Sequence, residues 1–106
     1  MHKTTSAAVL DQIADTLVLQ EKYANKEDAL RALARTAVRA KITRYRRRIR
    51  RFQQKYAMDF AAFTRTLEGR ATPQEEDDWL SWRAALGMLT DWQTVYAELS
   101  HESVRH

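Results

Sequence analysis

Apolar residues recur along this chain at three- and four-residue intervals and almost never alternate, so the predicted elements are helices. Val9, Leu10, Ile13, Ala14, Leu17 and Val18 predict a first helix from near Ser6, ending within LQEKYAN. Asn25 reads as the N-cap of a second helix, with Glu27 and Asp28 in its first turn, where the helix dipole favours negative charge. That helix can run from about 26 to 56. Val38, Ile42, Tyr45, Ile49, Phe52 and Tyr56 form an a/d seam along it, and such a seam needs a facing helix. A short third helix is predicted from Asp59 to about Leu67, with Phe60, Phe63 and Leu67 on one face and Gly69 as its stop. The fourth start is the sharpest: Thr72 as N-cap, Pro73 at the first helical position and Glu75 closing a capping box. Glu76, Asp77 and Asp78 add to the negative charge of this start. Trp79, Trp82, Leu86, Leu89, Trp92, Tyr96 and Leu99 then mark an apolar stripe over 73–99.

The expected fold is therefore all-α, with about four helices. The two long ones, near 26–56 and 73–99, form an antiparallel bundle or helical hairpin, although an intermolecular coiled coil would also cover the seam. A single domain over 1–106 is expected, with frayed ends near 1–4 and 100–106. Hydrophobic residues make up 44 %, which argues against a wholly disordered chain. The absence of cysteine removes disulfides, thiolate nucleophiles and thiolate metal sites together. No apolar run suggests a signal peptide or a membrane span, so a cytoplasmic location is the default expectation.

Charge changes this picture. Arg39, Lys41, Arg44, Arg46, Arg47, Arg48, Arg50, Arg51 and Lys55 fall in one stretch that contains no acid, leaving nine bases against 14 acids elsewhere. On a helical wheel the seam occupies an arc of roughly 80°, and the bases spread over about 220° of the rest. Pairs such as Arg44/Arg48, Arg46/Arg50 and Arg47/Arg51 are like charges one turn apart, each unfavourable by about 0.2–0.5 kcal/mol. Interleaved glutamates would relieve them, and there are none. Two readings compete. The stretch is either a solvated face, partly neutralised by the acidic fourth helix, or a binding surface. Its clients would then be nucleic-acid phosphates, an acidic protein surface or, last, a membrane surface.

Trp79, Trp82 and Trp92 at helical spacing fit a core, or a protein interface where Trp and Arg dominate. Tyr56, Met58, Phe60 and Phe63 surround the KYAMDF junction and are expected to pin the third helix across the second. The histidines, His2, His101 and His106, sit at the two ends without a second ligand at helical spacing, so no metal site is expected. No catalytic or phosphate-loop motif occurs, so neither enzyme activity nor a cofactor is expected.

The stretch EDALRALARTAVRAKITRYRRRIRRFQQKYAMDFAAFTRTL resembles a pattern in small helical antitoxin-like proteins encoded beside toxin genes, the prokaryotic type II toxin–antitoxin modules. In these an acidic, Trp-containing helix follows. The resemblance covers about Glu27 to Leu99, and its sharpest element is KYAMDFAAF, Lys55 to Phe63. Two departures stand out: Ala57 occupies a position where glycine is common, and the arginine run replaces a mixed Glu/Lys pattern. The resemblance implies a protein that neutralises a cognate toxin, with the fourth helix and the KYAMDF junction engaging it. The arginine-rich helix would face nucleic acid or an acidic groove. Alternatives are a stand-alone DNA- or RNA-binding protein, dimeric through the Ile42–Tyr56 seam, and a structural helical subunit of a larger assembly.

Overall fold

A computed structural model describes the backbone of residues 2–20 and 23–104, and the side chains of 7–20 and 23–101. It contains four helices and, among the described residues, no strand: α1 (His2–Leu19), α2 (Lys26–Tyr56), α3 (Phe60–Thr66) and α4 (Pro73–Val104). The all-α expectation and the two long helices are met. Residues 1–39 and 95–106 form one compact unit, and residues 40–94 a second.

The helix starts follow from their caps. The Asn25 side chain accepts from the Asp28 amide at 2.8 Å. At α4 the reciprocal box is complete: Thr72 Oγ1 accepts from the Glu75 amide at 3.2 Å, and Glu75 Oε1 accepts from the Thr72 amide at 2.9 Å. Asp59 caps α3 by accepting from the Ala62 amide at 2.8 Å. Between α2 and α3 the chain turns through Ala57, which adopts φ 55, the left-handed conformation that closes many helices and normally selects glycine. Gly69, with φ 73, takes the same conformation in the turn after α3. α4 runs on to Val104, past the expected end near Leu99, because no breaker interrupts it. Gly87 is carried in mid-helix with nothing within 4 Å of where a Cβ would stand.

In the 40–94 unit, α2 and α4 pack antiparallel. Phe52 stacks on Trp82 at 5.6 Å between centroids, and Tyr56, one turn later on α2, reaches Asp78, one turn earlier on α4. This pairing covers the seam within the chain: Ile49, Phe63, Trp82 and Ala85 form the buried centre, with Tyr45, Phe52, Tyr56, Phe60 and Leu89 packed around it. α3 lies across the junction through the Tyr56–Phe63 ring contact at 4.1 Å.

In the unit formed by residues 1–39 and 95–106, Lys26 at the head of α2 bridges Asp11 at 2.9 Å and Asp15 at 3.5 Å, two carboxylates one turn apart on α1. The predicted stripe of α1 is only partly used: Ala14 is buried and Leu17 and Val18 half-buried, while Val9, Leu10 and Ile13 stay exposed. The helix packs through a narrow strip around its smallest apolar residue, so the flanks of the stripe face outward.

Candidate functional site

The basic stretch is carried on α2, whose apolar seam is already satisfied inside the fold. That arrangement turns everything off the seam outward. Arg39, Lys41, Arg44, Arg46, Arg47, Arg48, Arg50, Arg51 and Lys55 are all exposed. Their pairing, however, separates them into two classes.

Arg39 and Lys55 are engaged. Arg39, in the unit formed by residues 1–39 and 95–106, donates from Nη2 to the Tyr96 hydroxyl at 2.8 Å, and its guanidinium lies 5.6 Å from that ring. The contact stabilises the phenolate and holds the Tyr96 pKa below its ordinary value. Lys55 donates to Asp78 Oδ2 at 2.6 Å. Lys41, Arg44, Arg46, Arg47, Arg48, Arg50 and Arg51, by contrast, make no ion pair or side-chain hydrogen bond among the described residues. Neutralisation by α4 therefore stops at Lys55, and six guanidiniums remain available. Arg47, Arg50, Arg51 and Gln54 line one shallow depression, and Arg48, Arg51, Phe52 and Lys55 another, so Arg51 borders both. From Arg44 to Arg51 the array extends roughly 10 Å along the axis.

The aromatic candidates divide just as clearly. Phe63 is 1 % exposed and Trp82 0 %, so these two are core. Trp82 has Phe52, Phe60 and Phe63 within 5.4–5.6 Å, and its indole N–H is buried without a hydrogen-bond partner. Tyr56, Met58 and Phe60 are half-buried around that centre. Trp79 is also half-buried. It donates to Thr64 Oγ1 at 2.8 Å, stacks on Phe60 at 5.6 Å, and carries the Arg83 guanidinium over its face at 5.5 Å. Trp92 is half-buried lower on α4, with its N–H buried and unpartnered.

One constellation was not foreseen from local pattern. Asp78, only 9 % exposed, receives the Lys55 ammonium, the Tyr56 hydroxyl, and Gln74 Nε2 at 3.1 Å. It is thus more than negative charge at a helix start. The Lys55 and Tyr56 hydrogen bonds hold its carboxyl below the ordinary carboxylate range. Burial, reinforced by Asp78, pushes the Tyr56 phenol up, and the same carboxylate raises Lys55. All three groups move away from neutrality, which suits a fixed latch and ill suits a group that must exchange protons near pH 7. The signal in the sequence was the Lys-Tyr pair itself, inside KYAMDFAAF. Its partner lies 22 residues on, beyond any helical period.

Among the described residues no cluster of His, Asp or Glu could hold a metal ion, and no helix is long and apolar enough to cross a membrane. His101 is exposed, and the side chains of His2 and His106 lie outside the described residues. Known proteins add no constraint. The chain matches no family model, no curated protein and no solved structure. The functional reading rests on the surface just described.

Proposed function

We propose that the protein is a non-catalytic binding protein of the antitoxin kind, which neutralises a cognate toxin and meets a polyanionic surface with α2. The observation that carries the binding half is the set of six exposed arginines without an acidic partner, on a helix whose apolar seam is satisfied internally. An ordinary solvated helix disperses such repulsion with glutamates; leaving it in place costs stability that an anionic partner would restore. The toxin half is supported by the resemblance over Glu27 to Leu99. The Asp78 latch adds a physical reason for the Lys-Tyr pair in that pattern. Cytoplasmic action belongs to the same proposal.

Co-expression with the toxin gene encoded alongside is expected to rescue growth and give a complex that survives nuclease treatment. A toxin that stays lethal and unbound ends the antitoxin reading. The unpaired arginines also favour a second reading, a stand-alone DNA- or RNA-binding protein. It predicts a complex lost on nuclease treatment, and an affinity for duplex DNA that falls with log salt at a slope near −0.9 per phosphate contact. A flat salt dependence would rule out phosphate contacts as its basis.

A further inference from the structure

Between α3 and the first turns of α4, and away from the arginine array, lies an open groove of about 360 Å³ lined by Thr64, Leu67, Ala71, Trp79 and Leu80, with Glu68 and Glu76 beside them. We propose that this groove receives a bulky apolar side chain from a basic amphipathic segment of a protein partner.

Three observations specify that occupant. The lining asks for an apolar group. The Thr64 hydroxyl already accepts from Trp79 and donates to the Phe60 carbonyl, which leaves Leu67, Ala71, Leu80 and the part of the Trp79 ring not taken by Phe60 and Arg83 as the contact surface. Leu80 is 56 % exposed and shares the groove wall with Leu67, Ala71 and Trp79, so the exposed apolar surface is a patch and not one isolated leucine. The volume lies at the low end of the roughly 300–1,000 Å³ typical of ligand pockets, which suits one or two side chains.

Charge then selects the flanks. Glu68 and Glu76 are both exposed and make no ion pair among the described residues, so a segment with Lys or Arg beside its apolar anchor finds two waiting carboxylates. The same carboxylates repel nucleic acid. A second copy of the chain fits poorly as well. Outside the groove, its large exposed apolar residues among the described ones, Val9, Leu10, Ile13, Leu19, Met88 and Val95, each have an acid within four positions (Asp11, Asp15, Asp91 or Glu98), and its arginine array carries no large exposed apolar side chain. The inference is independent of whether the partner is a toxin.

The test uses a labelled helical peptide built only of Leu and Lys at amphipathic spacing, and its twin with Glu for Lys, titrated into the full-length protein with amide and indole NMR readout. The Lys peptide is expected to shift the Trp79 indole N–H and Leu80 amide signals. Leu80→Asp, and the pair Glu68→Lys/Glu76→Lys, should each weaken it by about tenfold or more. Asp91→Lys, an exposed acid elsewhere on α4, should change affinity by less than about twofold. Leu80→Ser replaces Leu80→Asp if the latter melts early by circular dichroism. Preference for the Glu twin, no binding, or equal weakening by Asp91→Lys would overturn the proposal. So would groove shifts that appear with protein concentration alone, which would assign the groove to self-association.

Discussion

The two sides of α2 obey opposite rules. On the seam, from Ile49 to Tyr56, almost every polar or aromatic group has a partner: Tyr56 meets Asp78 and Phe63, and Phe52 meets Trp82. On the outer side, six arginines have none among the described residues. One helix thus separates what holds the fold from what is left for a partner. The two sides should respond to mutation in different observables.

The largest effect is expected on the seam side. Trp82→Ala removes a fully buried indole from between four rings and should cost about 3–5 kcal/mol in urea unfolding. A loss below about 1 kcal/mol would mean that the aromatic centre does not hold α2 to α4. Next comes the latch. Asp78→Ala leaves the half-buried Tyr56 hydroxyl without its acceptor and should cost about 1–2 kcal/mol. Because the native pKa of Asp78 lies below its unfolded value, the folded protein binds fewer protons here than the unfolded chain. The contribution is complete above about pH 4 and is lost as pH falls through the native pKa. Thermal melts of Asp78→Asn from about pH 7 down to about pH 2 should therefore show a shallower acid limb than the parent. Parallel limbs would assign the acid sensitivity to other groups.

Smaller effects sharpen the contrast. Ala57→Gly relieves a left-handed alanine and should raise stability by about 0.5–1 kcal/mol, allowing for the entropy of glycine. Smallest of all on stability is the triple change Arg46, Arg47 and Arg50→Gln. It is expected to shift the unfolding free energy by only a few tenths of a kcal/mol, in the stabilising direction, because like-charge pairs are relieved. On duplex DNA, if that is the polyanion, the same change should lower the salt slope by about one for each phosphate that is no longer engaged. A triple variant that unfolds would break the contrast outright.

Much of the fold was legible because its signals are local. The Thr72-Pro73-Glu75 start and the Asn25 cap work within one turn, and the seam repeats at a period that only a helix satisfies. The arginine array was legible for the same reason, since exposure follows once the seam is assigned. What local pattern could not show depends on contacts across the chain. Asp78 looked like charge at a helix start, and only folding places Lys55 and Tyr56 beside it. The left-handed turn at Ala57 was not legible either, because alanine carries no preference for that conformation and reads as readily as continuing helix. Which aromatics are core and which line a surface was likewise set by how α3 packs: it carries its own Phe63 into the centre while leaving Trp79 and Leu80 along a groove.

Lys55 and Tyr56 are consecutive, so on a helix they project about 100° apart. Both nevertheless grasp the same oxygen of Asp78. A seam of repeating apolar residues tolerates sliding by a heptad and some rolling about the axis, since one hydrophobic contact replaces another. Two donors converging on one oxygen penalise both movements, and the ring-held Tyr56 hydroxyl does so more than the flexible Lys55 stem. The latch therefore acts as a register pin, which sets both the height and the rotation of α2 against α4. By fixing that rotation, it also fixes the direction in which Arg44 to Arg51 face.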